Sequence, residues 1–275
     1  MAKVKAGWFG LSVLVAFLPG TAWGQAASFG RAGQFAVSGE RLLGVFVHKA
    51  ETDLNTTATG GGPAGGSVTV DASTETDATE FVLLGNSDQV GPAGAPRIAF
   101  DFFPIDGLSI GGALLYEHHS AENDTTGTAT FMGQSLAIDR TQTEIDTSVF
   151  GIAPRVGYAY MFTPNVGIWP RGGISYVTSN SEEKETVTDT TGGGGVQTTD
   201  TETTINHLSV AIDAMLVLSP VEHVGFGIGP FVEIPLSGDI EVSATQVNPD
   251  VQSDGDGDVK VTSYGLSSSL IVWFP

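Results

Sequence analysis

Asp254-Gly255-Asp256-Gly257-Asp258 is the stretch of this chain most suggestive of a ligand. Hard cations take several carboxylate oxygens, and aspartates at positions one, three and five are how a calcium loop begins. The rest of that pattern is missing: position six is Val259 where glycine is needed, and position twelve is Gly265 where glutamate is needed. A weakly bound calcium ion on Asp254, Asp256 and Asp258 is therefore the one cofactor the sequence offers. His118-His119-Ser120, with Glu117 and Glu122 beside it, has the residue types for acyl transfer: a hydroxyl, an imidazole base and a carboxylate. Neighbours in a strand point to opposite faces, however, and no second histidine–serine signature backs a nucleophile. No catalytic residue is assigned, and no enzyme activity is expected. The glycine runs lack the Gly-Lys-Ser/Thr ending of a phosphate loop. There is no cysteine, so neither a disulfide nor a thiolate metal site arises. A net charge of −20 disfavours nucleic acid as a partner.

A second set of charges sits singly inside apolar alternation: Glu40, Arg97, Asp101, Glu117, Arg155, Arg171, Asp213 and Glu233. Only an element with two different faces can carry such residues, and period two makes that element a β-strand. Eight segments alternate in this way: Phe35–His48, Arg97–Phe103, Leu108–Ser120, Ser148–Phe162, Val166–Val177, Asn206–Leu218, His223–Leu236 and Tyr264–Pro275. In the seventh, for example, Val224, Phe226, Ile228, Val232, Ile234 and Leu236 share one phase. Arg41 falls in the apolar phase of the first segment, which marks a bulge or an interfacial position. Pro154, Pro170, Pro230 and Pro235 cannot donate to a ladder, and bulges are expected there.

The connections alternate between long and short. Ile105–Gly107, Thr163–Asn165 and Pro220–Glu222 are expected as three-residue turns, an odd length that keeps the odd-numbered inward phase on both flanking strands. The long connections, 51–94, 121–147, 178–205 and 238–258, are polar and acidic. They hold 24 of the 31 acids (seven, five, six and six) against only Arg140 and Lys184. Solvated, mobile loops are the expectation for them. Glu80 to Leu84 is an apolar patch in the first, expected as a strand extension or a loop folding back.

Met1 to Gly24 reads as a secretory signal peptide, with Lys3 and Lys5 before an apolar core and a small-residue cleavage site. Residues 25–34 form a small-residue lead-in, and residues 35–275 make one domain. The expected fold is all-β: an eight-stranded antiparallel up-and-down transmembrane β-barrel with short periplasmic turns and long extracellular loops. In architecture, and in its aromatic last strand ending Trp273-Phe274, the chain resembles the small eight-stranded outer-membrane β-barrels, the class of the OmpA membrane domain and OmpX. One departure is Pro275, which follows the terminal aromatic. The resemblance implies a monomer exported to the outer membrane, with lipid and the barrel assembly machinery as partners.

An eight-stranded barrel has an interior that side chains fill, so its buried charges must pair. Five acids against three arginines leave an acidic surplus in the lumen. Asp101, Arg171 and Asp213 are expected toward the periplasmic end, and Glu117, Arg155 and Glu233 farther out. Gly111, Gly225, Gly227 and Gly229 leave room for a water-filled section. The expected function is structural or interactive, with a lumen plugged by salt bridges. A narrow porin-like channel for small solutes or ions is the alternative, and a lipid-modifying barrel enzyme a remote one.

Overall fold

Strands whose two faces meet different media can satisfy their backbone only by pairing on both edges, and closure into a ring removes the edges altogether. The computed structural model of the chain describes residues 28–60, 67–83, 95–131, 134–188, 196–247 and 251–275. The expected signal peptide lies outside them. Among these described residues ten strand segments occur: β1 (Phe35–Gly60), β2 (Ser67–Leu83), β3 (Arg97–Phe102), β4 (Leu108–Phe131), β5 (Gln134–Tyr158), β6 (Tyr160–Thr163), β7 (Val166–Thr188), β8 (Val196–Val221), β9 (Val224–Val247) and β10 (Val251–Phe274). All pairings are antiparallel between neighbours. β2 and β3 pair with the upper and lower halves of β1, and β6 continues β5 against β7. The segments therefore make eight staves, and β10 closes on β1 from Phe35↔Phe274 to Gly60↔Val251. The fold is an eight-stranded up-and-down barrel.

Its faces follow the alternation. Isoleucines, leucines and aromatics such as Phe100, Ile110, Ile152, Ile228 and Leu266 point outward and are about half exposed. Phe35, Phe102, Phe226 and Phe274 lie at the lower margin of this belt, with the Phe35 and Phe102 rings 4.7 Å apart. Tyr116, Phe150, Tyr176 and Tyr264 lie at the upper margin. A continuous apolar belt with aromatic margins, wrapped around a polar interior, is the surface of a membrane-spanning barrel. Among the described residues no helix is long and apolar enough to cross a membrane.

Arg41 is the bulge residue. Its φ is 58°, and the β1–β10 register jumps between Glu40 and Gly44. Two extra residues on β1 preserve parity overall but exchange faces locally: Arg41 turns inward and buried, while Leu42 packs beside the outward Gly39. The Leu43 amide donates to Ser268 Oγ, which satisfies backbone that the ladder leaves behind.

Several expectations need correction. The connections after β6 and β8 are the two-residue turns Pro164–Asn165 and Glu222–His223, while residues 103–107 join β3 to β4. Bulges at Met161/Thr163 and Leu218/Val221 supply the odd residue that three-residue turns would have supplied. Of the four prolines, only Pro235 adjoins a register shift, between Leu208 and Ser209 of the facing strand. Pro170 pairs in register with Ala214, while at Pro154 and Pro230 a ladder omits pairs and resumes unshifted. The polar connections are mostly not loops. Residues 117–131 pair with 134–149 on either side of a bulge that skips Asp139, and 178–188 pair with 196–206, so long arms of sheet rise beyond the belt. Threonine-rich polar segments pair well when both faces meet water, and this outweighs the absence of an apolar period. Glu80–Leu83 belongs to β2 as a strand extension; Leu84 lies outside the described residues.

Candidate functional site

The barrel's interior is stacked in tiers, each set by an inward position on successive strands. At the mouth by the short turns, Ala36, Phe103, Trp169, Val217, Ile271 and Trp273 point inward from five staves. The lead-in fills the space between them. Phe29 is buried at the centre, with ring centroids 5.2, 5.0 and 5.3 Å from Phe103, Trp169 and Trp273, all edge-on. Edge-to-face packing suits aromatic quadrupoles. The backbone is tied down as well: Gly33 N donates to Phe103 O (2.8 Å), Phe103 N to Gln34 O (2.9 Å) and Gly107 N to Gly30 O (2.7 Å). Gln34 Oε1 accepts from the Gly30 and Arg31 amides, and Asp106 Oδ1 from Ala32 N. Gly30 adopts φ +87°, where a Cβ would meet the Ala159 Cβ at 2.9 Å.

Above this tier lies a charged one. Arg155 makes two bidentate pairs: Nε and Nη2 donate to Asp101 (3.1 and 2.5 Å), while Nη1 and Nη2 donate to Glu40 (2.8 and 2.9 Å). Arg171 donates from Nη1 to Glu40 Oε1 (2.5 Å) and from Nε to Asp213 Oδ1 (2.7 Å). Its guanidinium also lies 4.4 Å from the Trp169 ring centre, which ties the charges to the aromatics below. Ser38 Oγ donates to Glu40 Oε1 (3.0 Å). Farther out, Glu233 Oε1 faces two arginines, accepting from Arg41 Nη2 (2.6 Å) and lying 3.0 Å from Arg97 Nη2. Arg41 also stacks 4.6 Å from the centre of the Phe231 ring. Guanidinium forks match carboxylates in this way where an ammonium would not.

Seven of the eight charges expected in the lumen are thus brought together. The eighth, Glu117, is only half-buried and joins none of these pairs. Arg41 takes a place that alternation could not assign. The expected acidic surplus is corrected to four acids and four arginines. Arg155 was expected farther out, but its long side chain joins Asp101 and Glu40 in the lower tier. The inward glycines do not open a wide water-filled section. A Cβ on Gly225 would lie 3.2 Å from Trp273, and on Gly157 2.7 Å from the Arg171 Cγ, so their space holds the large side chains of neighbouring staves. Among the described residues a cavity of about 30 Å³ lies by the charges, room for about two waters.

Above the charges, Phe46 and Phe231 pack together, and His48 Nδ1 lies 2.8 Å from Ser263 Oγ. The sequence reading missed this pair: His48 ends the first segment read as a strand, Ser263 lies one residue before the last, and only the register between β1 and β10 brings them together. His118 and Ser120 are exposed beyond the belt, with His118 Nδ1 3.5 Å from Asp146 Oδ1. Asp254, Asp256 and Asp258 lie along one face of extended β10 and do not wrap around a point. Among the described residues no group of three His, Asp or Glu side chains could hold a metal ion.

No protein-family model and no curated protein matches the chain. Among solved structures, it is similar to the outer membrane protein OprG from Pseudomonas aeruginosa (12% identity, 87% of this chain and 96% of that one, TM-score 0.33). It is also similar to the outer membrane protease OmpT from Escherichia coli (9%, 88% and 97%, TM-score 0.36). A third is Ail, the attachment invasion locus protein of Yersinia pestis (9%, 87% and 99%, TM-score 0.28). At these values the fold rests on the ladder and faces of the chain itself.

Proposed function

We propose that this chain is a monomeric, non-enzymatic protein of the outer membrane whose barrel is sealed, and whose role is to present acidic arms of sheet outside. The observation that carries the reading is the pairing of Arg155 with both Asp101 and Glu40 across the lumen, directly above the packed Phe29. Ions need a continuous wet path, and two tiers in series oppose one. The first is apolar and has no donors to spare for water, apart from indoles such as Trp169 that already have a partner. The second is a net-neutral lattice whose rearrangement would leave a charge uncompensated in low dielectric. Lipid contacts the apolar belt, and the barrel assembly machinery inserts the chain.

The test is single-channel recording of the full mature chain in planar bilayers. A sealed barrel gives no stable conductance steps. Reproducible steps that an Arg155→Gln substitution abolishes or resizes would overturn the reading in favour of a narrow channel.

A further inference from the structure

The balance of four acids and four arginines hides an uneven division of acceptors. Glu40, Asp101 and Asp213 serve only Arg155 and Arg171, and Glu40 also takes the Ser38 hydroxyl. Among the described residues that leaves Glu233 alone to serve Arg41 and Arg97, both more than nine-tenths buried. One carboxylate cannot satisfy two guanidinium forks with five N–H donors each. The deficit is visible atom by atom: Arg41 Nη1 and Arg97 Nε and Nη2 are buried and make no hydrogen bond. The 3.0 Å approach of Arg97 Nη2 to Glu233 is an ion pair without hydrogen-bond geometry. Both arginines and Glu233 line the small cavity described above.

Buried donors on two like-charged groups, beside a space of atomic size, call for an acceptor that brings no donor of its own. We propose that Arg41 and Arg97 form a binding site for a single monovalent halide, chloride under ordinary conditions. A halide accepts several N–H bonds at once and fits a cavity of about 30 Å³. Larger oxyanions such as sulfate or phosphate are excluded by size. The bulge is what creates the site, because Arg41 reaches the lumen only through its positive φ.

Bromide is the probe, since it scatters anomalously where water does not. Crystals of the full mature barrel, refolded in detergent and grown in sodium bromide, should show one anomalous peak within bonding distance of Arg41 Nη1 and Arg97 Nε. Water-like density with no anomalous signal there would overturn the site. In parallel, the unfolding temperature of the wild-type barrel should rise with halide relative to gluconate at equal ionic strength. An Arg97→Gln variant, checked for folding by its heat-modifiable gel migration, should bind bromide about tenfold or more weakly. Undiminished halide stabilisation in that variant would place the effect elsewhere and sink the proposal. Should the variant fail to fold, the anomalous map of the wild type still decides.

Discussion

Arg155→Met removes four nitrogen–oxygen contacts at once and takes from Asp101 the ion pair that it makes with Arg155. Removing one partner of a buried pair leaves the other charge uncompensated, so a loss of about 3–5 kcal/mol is expected. Arg41→Met leaves Glu233 its approach to Arg97 and should cost less, about 1–3 kcal/mol. Urea unfolding of the refolded barrel, followed by tryptophan fluorescence, measures both. Equal losses would contradict the division into tiers. The same two residues mark what the sequence could say about individual side chains. Arg155 was legible because parity along an unbroken strand tells which face a residue occupies. Arg41 was marked as a bulge by its phase, but its inward turn was not legible, since a positive φ uncouples face from parity and nothing in residue type announces φ. Glu117 was misplaced for a different reason: its phase is inward, but it stands above the charged tiers, where it is only half-buried.

The membrane-spanning parts of the strands were readable because lipid on one side and charge on the other impose an apolar period of two. Where both faces meet water that period vanishes, and the arms looked like loops. Their pairing makes a definite prediction. Amides of residues 182–186 and 198–202 should exchange with deuterium far more slowly than unstructured chain, by about tenfold or more, as measured by mass spectrometry on the folded barrel. Exchange at unstructured rates would restore the loop reading. The lead-in was illegible as an element at all. Its docking depends on Phe29 meeting rings from three distant staves and on a glycine in the left-handed region. Gly30→Ala forces a Cβ into that region and against Ala159, so it should lower the barrel's stability by about 1–2 kcal/mol, read from the same urea titration.

Across the whole molecule the aromatic tier and the charged tier act in series, which fixes how they would fail. Trp169 joins them, with Phe29 in T-shaped contact and Arg171 over its face. Emptying the mouth with Phe29→Ala removes one large buried ring, at a cost of about 3–5 kcal/mol, yet leaves the Arg155 lattice above it intact. Breaking the lattice at Arg155 with Arg155→Ala takes away its pairs with Asp101 and Glu40 and leaves the aromatic packing below. Neither variant alone should conduct, because each keeps one barrier whole. The Phe29→Ala/Arg155→Ala double variant clears both, and it should open small, flickering steps in planar bilayers provided that heat-modifiable migration shows the barrel still folded. Conductance in the Phe29→Ala variant alone would mean that the charged tier rearranges freely enough to pass ions, and the lead-in would then be the sole seal. Conductance in the Arg155→Ala variant alone would assign the seal to the charges. Silence in both single variants with steps in the double is the outcome that two independent, stacked barriers require.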